Sequence, residues 1–270
     1  LGQRRHRIMT ALLVPFTSCS ARLTVYVLIA SVFFPGNAGT VVFVMYLLSI
    51  VLIVLAGLLM KHTLWRAMGS EPLIMDLPPY QVPTLRLTLS VMWMRLKGFL
   101  QTATGIIVAV VVAVFVLQSV PVTGNAPFGE VDPDDSAYAA VAKTVSPVFE
   151  PAGFASWQTT GALVTGFVAK EAVISTWAQT YAVDDPEETG DDTALSAKIR
   201  TAFDESSRGH TGPAVAAFLM FLLAYTPCMA TIAAQLREIG WRWTLVGMAA
   251  QTTIAWALAV VTFQIGRLFW

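Results

Sequence analysis

Residues 16–23 read FTSCSARL, and residues 225–232 read YTPCMATI. At an offset of 209 residues the threonine, cysteine and alanine coincide, and the flanking aromatic and aliphatic residues match in type. The two phrases hold the only cysteines of the chain, Cys19 and Cys228, each inside an apolar stretch long enough to cross a bilayer. Membrane proteins that move solutes commonly build their site at mid-membrane from two related units with interrupted helices. The phrases therefore predict an all-α transmembrane bundle with two related Cys-bearing helix-hairpin repeats.

The composition is that of a membrane protein. The chain has 270 residues, 56% hydrophobic and 13% charged, with a mean hydropathy of +0.65, whereas soluble domains carry about 25% charged residues. A net charge of zero argues against a nucleic-acid partner, and two cysteines without a CxxC spacing argue against a disulfide scaffold or structural zinc. The start, residues 1–7, has neither an initiator Met nor a signal-peptide layout. We therefore expect the sequence to be part of a longer protein.

Hydropathy and proline content divide the chain into three parts. Residues 1–60 are predicted to form the first Cys-bearing membrane hairpin, and the polar residues 17–22, preceded by Pro15, predict a break in its first helix. Residues 61–98 form a basic, proline-containing connector that the positive-inside rule places in the cytoplasm. Residues 99–270 form the second membrane unit. Its two acidic loops, which fit the outer side, are residues 121–151 and 183–212.

The stretch 154–181 permits two topologies, because Lys170 and Glu171 lie near its centre. If the stretch crosses the membrane fully, the turn that holds Arg237 and Arg242 lies outside. If the two charges mark a re-entrant break, that turn lies in the cytoplasm and the two Cys units run in opposite directions. The second topology obeys the positive-inside rule better, and we favour it.

Cys19 and Cys228 are candidate metal ligands. A thiolate is a soft ligand that suits late first-row metals such as Fe(II), Cu(I) and Zn(II), and thiols from two repeats can meet at one site. Neighbouring oxygen and thioether groups are further candidates, and they belong to Ser18, Ser20, Thr226 and Met229. The alternative interpretation for each cysteine and for the methionine is packing in an apolar core.

Three ionisable residues lie at membrane depth, where charges are expensive and usually functional. Glu171 is a candidate to approach a cation, because an ionised carboxylate supplies negative charge that a thiol lacks. Arg22 and Lys170 are candidates for gating or for a structural lock between helix ends. Lys170 and Glu171 are adjacent and do not face each other on a helix, so each is expected to have a separate polar partner or water.

Enzyme chemistry is not expected of this part of the protein. The sequence contains no phosphate loop of the G-x-x-x-x-G-K-[ST] type and no hydrolase triad. The three histidines lie in predicted connectors, which argues against a membrane metal site built on imidazole.

Five blocks along almost the whole chain resemble the membrane half of the FeoB-type bacterial ferrous iron transporters. They are residues 18–26 (SCSARLTVY), 71–85 (EPLIMDLPPYQVPTL), 97–99 (KGF), 166–171 (GFVAKE) and 225–241 (YTPCMATIAAQLREIGW). The resemblance implies a Gate-type membrane domain, Fe2+ as the transported ion and an iron path lined by the two Cys phrases.

The same resemblance implies a location and partners. The location is the bacterial cytoplasmic (inner) membrane, with the lipid bilayer around the chain. An upstream GTP-binding domain would hold GTP and Mg2+, and further partners would be small cytosolic accessory proteins and a second copy of the chain. Two positions depart from the family pattern, because Ser18 and Thr24 stand where it usually has proline. Loss of these prolines predicts a straighter first helix.

Two other functions remain open at this point. One is a nucleoside-like organic-solute transporter, and the other is a membrane sensor that transports nothing. A nucleoside site needs converging amide and aromatic groups, whereas the glutamines of the membrane stretches are scattered along the sequence, at Gln158, Gln179, Gln235, Gln251 and Gln264.

Overall fold

The computed structural model describes residues 4–63, 84–122, 131–168, 170, 172–183 and 193–269. Within this part of the chain the regular segments are α-helices and short 3-10 turns, which confirms the predicted all-α class. The α-helices are α1 (Arg4–Leu13), α2 (Ser20–Phe33), α3 (Ala38–Thr63), α4 (Leu85–Ser119), α5 (Ala137–Val145), α6 (Trp157–Val168), α7 (Ala172–Thr180), α8 (Thr193–Ser207), α9 (Thr211–Ala224), α10 (Met229–Ile239) and α11 (Trp241–Phe269). Short 3-10 turns cover Val14–Phe16, Pro133–Asp135 and Ser146–Ala152.

Four helical segments of the described residues are long and apolar enough to cross a membrane. They are His6–Phe33, Ala38–His62, Thr211–Ile239 and Trp241–Phe269. Two of them contain an interruption, since the first comprises α1 and α2 and the third comprises α9 and α10. The chain is therefore a multi-pass membrane protein with broken helices.

Both interruptions lie at a Cys phrase. Pro15 has no N–H group, and the chain there tightens into a 3-10 turn before extending at Thr17 and Cys19. In the second, the chain is extended from Tyr225 to Cys228 and α10 starts directly afterwards. The expectation of a straighter first helix is wrong, because Pro15 alone removes the donor that continuity requires. That the two units are related as repeats remains a prediction.

Helices α6 and α7 pack against each other as a hairpin, and the re-entrant topology remains a prediction. Thr180, at the end of α7, lines a cavity together with Ser119 at the end of α4. Tyr181 lines another cavity together with Trp157, the first residue of α6. Both ends of the hairpin therefore lie at the same face of the bundle, and its tip, at Lys170, lies inside.

The two interrupted helices run in opposite directions. Gln235 in α10 donates a hydrogen bond to Ala11 O in α1, so the end of one lies beside the start of the other. At the opposite end, the rings of Phe33 in α2 and Phe203 in α8 are 5.5 Å apart. Basic residues mark the first of these ends, which the positive-inside rule places in the cytoplasm; they include Arg7, Lys61, Arg237 and Arg242.

Helix α9 is the centre of the core. The Phe218 ring contacts three buried aromatic rings at centroid distances of 5.4–5.6 Å, those of Phe154, Trp177 and Phe203. Small residues on α9 and α11 are fully buried and allow close approach of the backbones, as is usual between membrane helices; they include Ala214, Ala217, Ala255 and Ala259. This packing holds the second interruption, at the end of α9, in the middle of the bundle.

Candidate functional site

Two glutamines from distant helices satisfy the carbonyls that end α1. Because Pro15 cannot donate, the carbonyl of Ala11 lacks its helical partner, and Gln235 Nε2 donates to it at 2.6 Å. Gln251 Nε2 donates to Leu12 O at 3.1 Å. Both glutamine side chains are buried. Two of the glutamines that are scattered along the sequence thus meet at the end of α1.

Arg22 connects the two interruptions. Its guanidinium donates to Pro15 O at 2.9 Å and to Thr17 O at 3.2 Å within the first. It also donates to Tyr225 O at 3.3 Å in the second. The residue is only 2% exposed. At both interruptions, carbonyls that lost their helical partners thus accept hydrogen bonds from one buried cation.

Polar atoms without a hydrogen-bond partner gather around this guanidinium. Among the described residues they include Ser18 Oγ, Arg22 Nε, Tyr26 Oη and Tyr225 Oη. Arg22 and Tyr26 are four residues apart and share one face of α2, and Ser18 lies in the break just before that helix. Ser18 and Tyr26 are neighbours, yet their hydroxyls do not reach hydrogen-bond geometry. Buried polar atoms almost always have a partner, water or ion, so this junction is suited to a polar guest.

Both cysteines stand at the junction, each as the residue that precedes a helix. Cys19 has φ −102° and ψ 164°, and Cys228 has φ −64° and ψ 161°. The Tyr225 hydroxyl lies in the neighbourhood of both cysteines and of Arg22. Cys19 is exposed and Cys228 is half-buried, and Cys228 Sγ lies 3.5 Å from Thr231 Oγ1.

The remaining predicted ligands surround the two interruptions unevenly. Thr226 is buried in the second interruption, while Ser20 is exposed in the first turn of α2. Met229 is the first residue of α10 and is half-buried. Glu171 lies outside the described residues. Within the described part of the chain, no three His, Cys, Asp or Glu side chains form a metal-binding group.

The tip of the α6–α7 hairpin contacts the second interruption through Tyr225. Lys170 is 4% exposed, and its Nζ lies 4.4 Å from the centroid of the Tyr225 ring, which is a cation–π contact. A Cβ added to Gly166 would lie 2.8 Å from Tyr225 Oη, so the absence of a side chain there admits the hydroxyl. The buried charge of Lys170 thus lies against the face of the Tyr225 ring.

Sequence reasoning missed the two tyrosines. The alignment of the two phrases treats Tyr225 only as the aromatic position that matches Phe16, although Phe16 has no counterpart of its hydroxyl. Tyr26 carried a second signal, because it falls one turn beyond Arg22 on the polar face of a membrane helix. The structure places both hydroxyls at the junction.

Comparison with known proteins gives consistent matches. The Gate family, described as nucleoside recognition, matches residues 100–242. The family described as the ferrous iron transport protein B C terminus matches residues 42–95. No solved structure matches the chain.

Similar curated proteins match over essentially the whole chain. The Fe(2+) transporter FeoB of Methanocaldococcus jannaschii is 36% identical over 99% of this chain and 38% of its own length. The Fe(2+) transporter FeoB of Escherichia coli is 32% identical over 98% and 39%. A fusion of Fe(2+) transport protein A with FeoB from Porphyromonas gingivalis is 32% identical over 100% and 35%. The chain thus spans somewhat over a third of the length of these relatives. The chain belongs to the Gate family and corresponds to the C-terminal membrane part of the FeoB proteins.

Proposed function

We propose that this chain is the membrane-permease part of a ferrous iron uptake transporter and that Fe2+ passes through the junction of the two interrupted helices. The observation that supports this path is the set of buried polar atoms without a hydrogen-bond partner where the two interruptions meet. The names of the FeoB relatives supply the identity of the ion. The four apolar helices and these relatives give a multi-pass location in the cytoplasmic (inner) membrane.

Fe2+ must shed water to enter a bilayer, and the protein must replace part of its hydration shell. Thiols alone favour Cu and Zn ions over Fe(II) by the usual affinity order. A path for Fe2+ therefore needs weak, mixed ligands that release the ion again. We assign the thiols of Cys19 and Cys228 to this path, with oxygen or thioether contacts from Ser18, Ser20, Thr226 and Met229. Zn2+ should compete for it.

Glu171 is proposed as a further contact for the ion from its place in the chain, one residue beyond Lys170 at the hairpin tip. Its replacement by glutamine removes the charge and keeps the shape. Glu171→Gln should lower iron transport more than it lowers the melting temperature of the protein. Normal transport in this variant would leave Glu171 with a structural role.

Energy and regulation are proposed to come from outside this chain. An upstream domain that binds GTP and Mg2+ would gate the path, and the connector 61–98 would meet it in the cytoplasm. The fusion of a relative with transport protein A supports a small accessory partner, and self-association is a further proposal.

The cytoplasmic location proposed for the connector can be tested at Arg86. In intact cells, a cysteine introduced by Arg86→Cys should resist an impermeant thiol reagent, because the proposed topology puts this residue in the cytoplasm. Labelling from outside would reverse this topology.

The organic-solute alternative has less support. The description of the Gate family favours it, but Gln235 and Gln251 donate to the backbone of α1 and do not face a common ligand. The sensor alternative is favoured by no feature of the junction.

The decisive experiment is uptake of radiolabelled Fe2+ by cells that carry the full-length protein. Cys19→Ser and Cys228→Ser should each lower uptake about 10- to 100-fold, the range in which loss of one metal-site group acts. Thr24→Ser is a matched control on α2, since this exposed hydroxyl bonds only to Ala21 O of its own helix. Full uptake in both cysteine variants at normal expression would refute the assigned path.

A further inference from the structure

The guanidinium of Arg22 occupies the oxygens that a cation at the junction would need. Pro15 O and Thr17 O are made available by the first interruption, and Tyr225 O by the second. In membrane proteins with broken helices, such unwound carbonyls are the groups that hold bound cations. Here an arginine of the same chain fills that place.

Among the described residues, the charges of the junction oppose a second cation in this arrangement. Arg22 lies on one side of Tyr225, through its carbonyl, and Lys170 lies against its ring. The described carboxylates all lie towards the ends of the bundle, and they are Asp132, Asp134, Asp135, Glu150, Asp204, Glu205 and Glu238. Like charges repel strongly where water is scarce. A metal ion and the Arg22 guanidinium therefore exclude each other at these carbonyls.

We propose that Arg22 is a tethered cation that latches the two interrupted helices and closes the path until it is displaced. The identity of the cargo rests on the proposed function, but the latch itself does not. Arg22 belongs to α2, and its bonds to Pro15 and Thr17 stay within the first interruption. The bond to Tyr225 O is the longest of the three and alone joins two interruptions. Opening breaks this bond, and the freed Tyr225 carbonyl and the unpartnered hydroxyls of Ser18, Tyr26 and Tyr225 then become available to the ion.

The proposal predicts different effects for charge removal and charge retention. Arg22→Gln removes the cation, whereas Arg22→Lys keeps a point charge that cannot donate to three carbonyls at once. Arg200→Gln is a matched control, since the Arg200 guanidinium also donates to a backbone carbonyl of α2, that of Val32, away from both interruptions.

The test uses the full-length protein in lipid vesicles without nucleotide. Maleimide labelling of Cys228, resolved by mass spectrometry, and Fe2+ influx are both measured. In Arg22→Gln both rates should rise about tenfold or more, which corresponds to a lost latch energy of ~1.4 kcal/mol. Arg22→Lys should show a smaller rise in labelling, and Arg200→Gln none.

The outcomes separate the latch from the identity of the cargo. Increased labelling of Cys228 without Fe2+ movement in any variant would keep the latch and refute the proposed function. GTP-dependent Fe2+ influx in the unmodified protein, with unchanged labelling and influx in a folded Arg22→Gln, would overturn the latch. If Arg22→Gln does not fold, Arg22→Lys decides, and labelling equal to that of the unmodified protein overturns the proposal.

Discussion

The first interruption, between α1 and α2, and the second, between α9 and α10, share a sequence phrase and an extended backbone at cysteine. Their polar groups are satisfied very differently. Five carbonyls of the first accept hydrogen bonds from described side chains, and they belong to Ala11, Leu12, Val14, Pro15 and Thr17. In the second, among the described residues, Tyr225 O accepts a hydrogen bond from the side chain of Arg22.

This difference indicates a division of labour within the junction. The first interruption is anchored by two buried glutamines, which hold the end of α1 against α10 and α11. The second is held by one cross-helix bond and by the contact of Tyr225 with the hairpin tip. Similar phrases thus produce a similar backbone, while the surrounding helices decide how many of its carbonyls are held by side chains.

The largest expected effect tests whether the unlike halves serve one ion. If Cys19 and Cys228 contact the same Fe2+, the double serine variant should take up little less iron than the more severe single variant, because groups that act as a unit are strongly non-additive. Serine keeps the approximate size of cysteine, so folding should change less than uptake. Uptake of radiolabelled iron by matched amounts of full-length protein measures this. Multiplicative losses from the two substitutions would indicate two separate sites.

The rigidity of the first interruption is tested by removal of a glutamine donor. Gln235→Leu leaves the buried Ala11 carbonyl without a partner, which should lower the free energy of unfolding by about 1–3 kcal/mol. Chemical denaturation in lipid or detergent measures the change. Gln264→Leu is the control, because this exposed amide donates to Pro151 O and water can replace it. Equal effects of the two substitutions would mean that Gln235 does not anchor the first interruption.

The contact of the hairpin tip with the second interruption is tested at Gly166. A Cβ there would lie 2.5 Å from Val173 Cγ2 and 2.8 Å from Tyr225 Oη, so Gly166→Ala should cost about 1–3 kcal/mol of stability through overpacking. Gly39→Ala is a helical control, since a Cβ there meets no atom within 4 Å. The melting temperatures of both variants report the effect. A Gly166→Ala variant as stable as Gly39→Ala would show that the tip is loosely packed against Tyr225.

Hydropathy and proline chemistry were sufficient to predict four membrane spans and the breaks at the Cys phrases, while the re-entrant topology stays a prediction. These features depend on local composition, on the missing N–H of proline and on the distribution of charge. The partners of Arg22 and Gln235 could not be predicted, because the hydrogen bonds join residues 203 and 224 positions apart. Such contacts follow from how the helices pack, which a single sequence does not specify. For the same reason the metal roles of the cysteines and of Glu171 stay predictions.

The smallest expected effect on stability concerns the two tyrosine hydroxyls, and it distinguishes a site for a guest from ordinary packing. Tyr225 Oη and Tyr26 Oη are buried without a hydrogen-bond partner. Removing an unsatisfied buried polar atom while keeping the ring is nearly neutral or stabilising. Tyr225→Phe and Tyr26→Phe should therefore change the free energy of unfolding by less than about 1 kcal/mol. Iron uptake should nevertheless fall several-fold in the full-length protein, because the open path loses a hydroxyl that replaces water around the ion.

Tyr138→Phe is the contrasting variant, since the Tyr138 hydroxyl forms a hydrogen bond with Thr165 Oγ1 at 2.7 Å outside the junction. That variant should lose stability and keep the Fe2+ affinity of uptake. If the junction tyrosines lost stability instead and transported iron normally, their hydroxyls would serve the fold and not the ion.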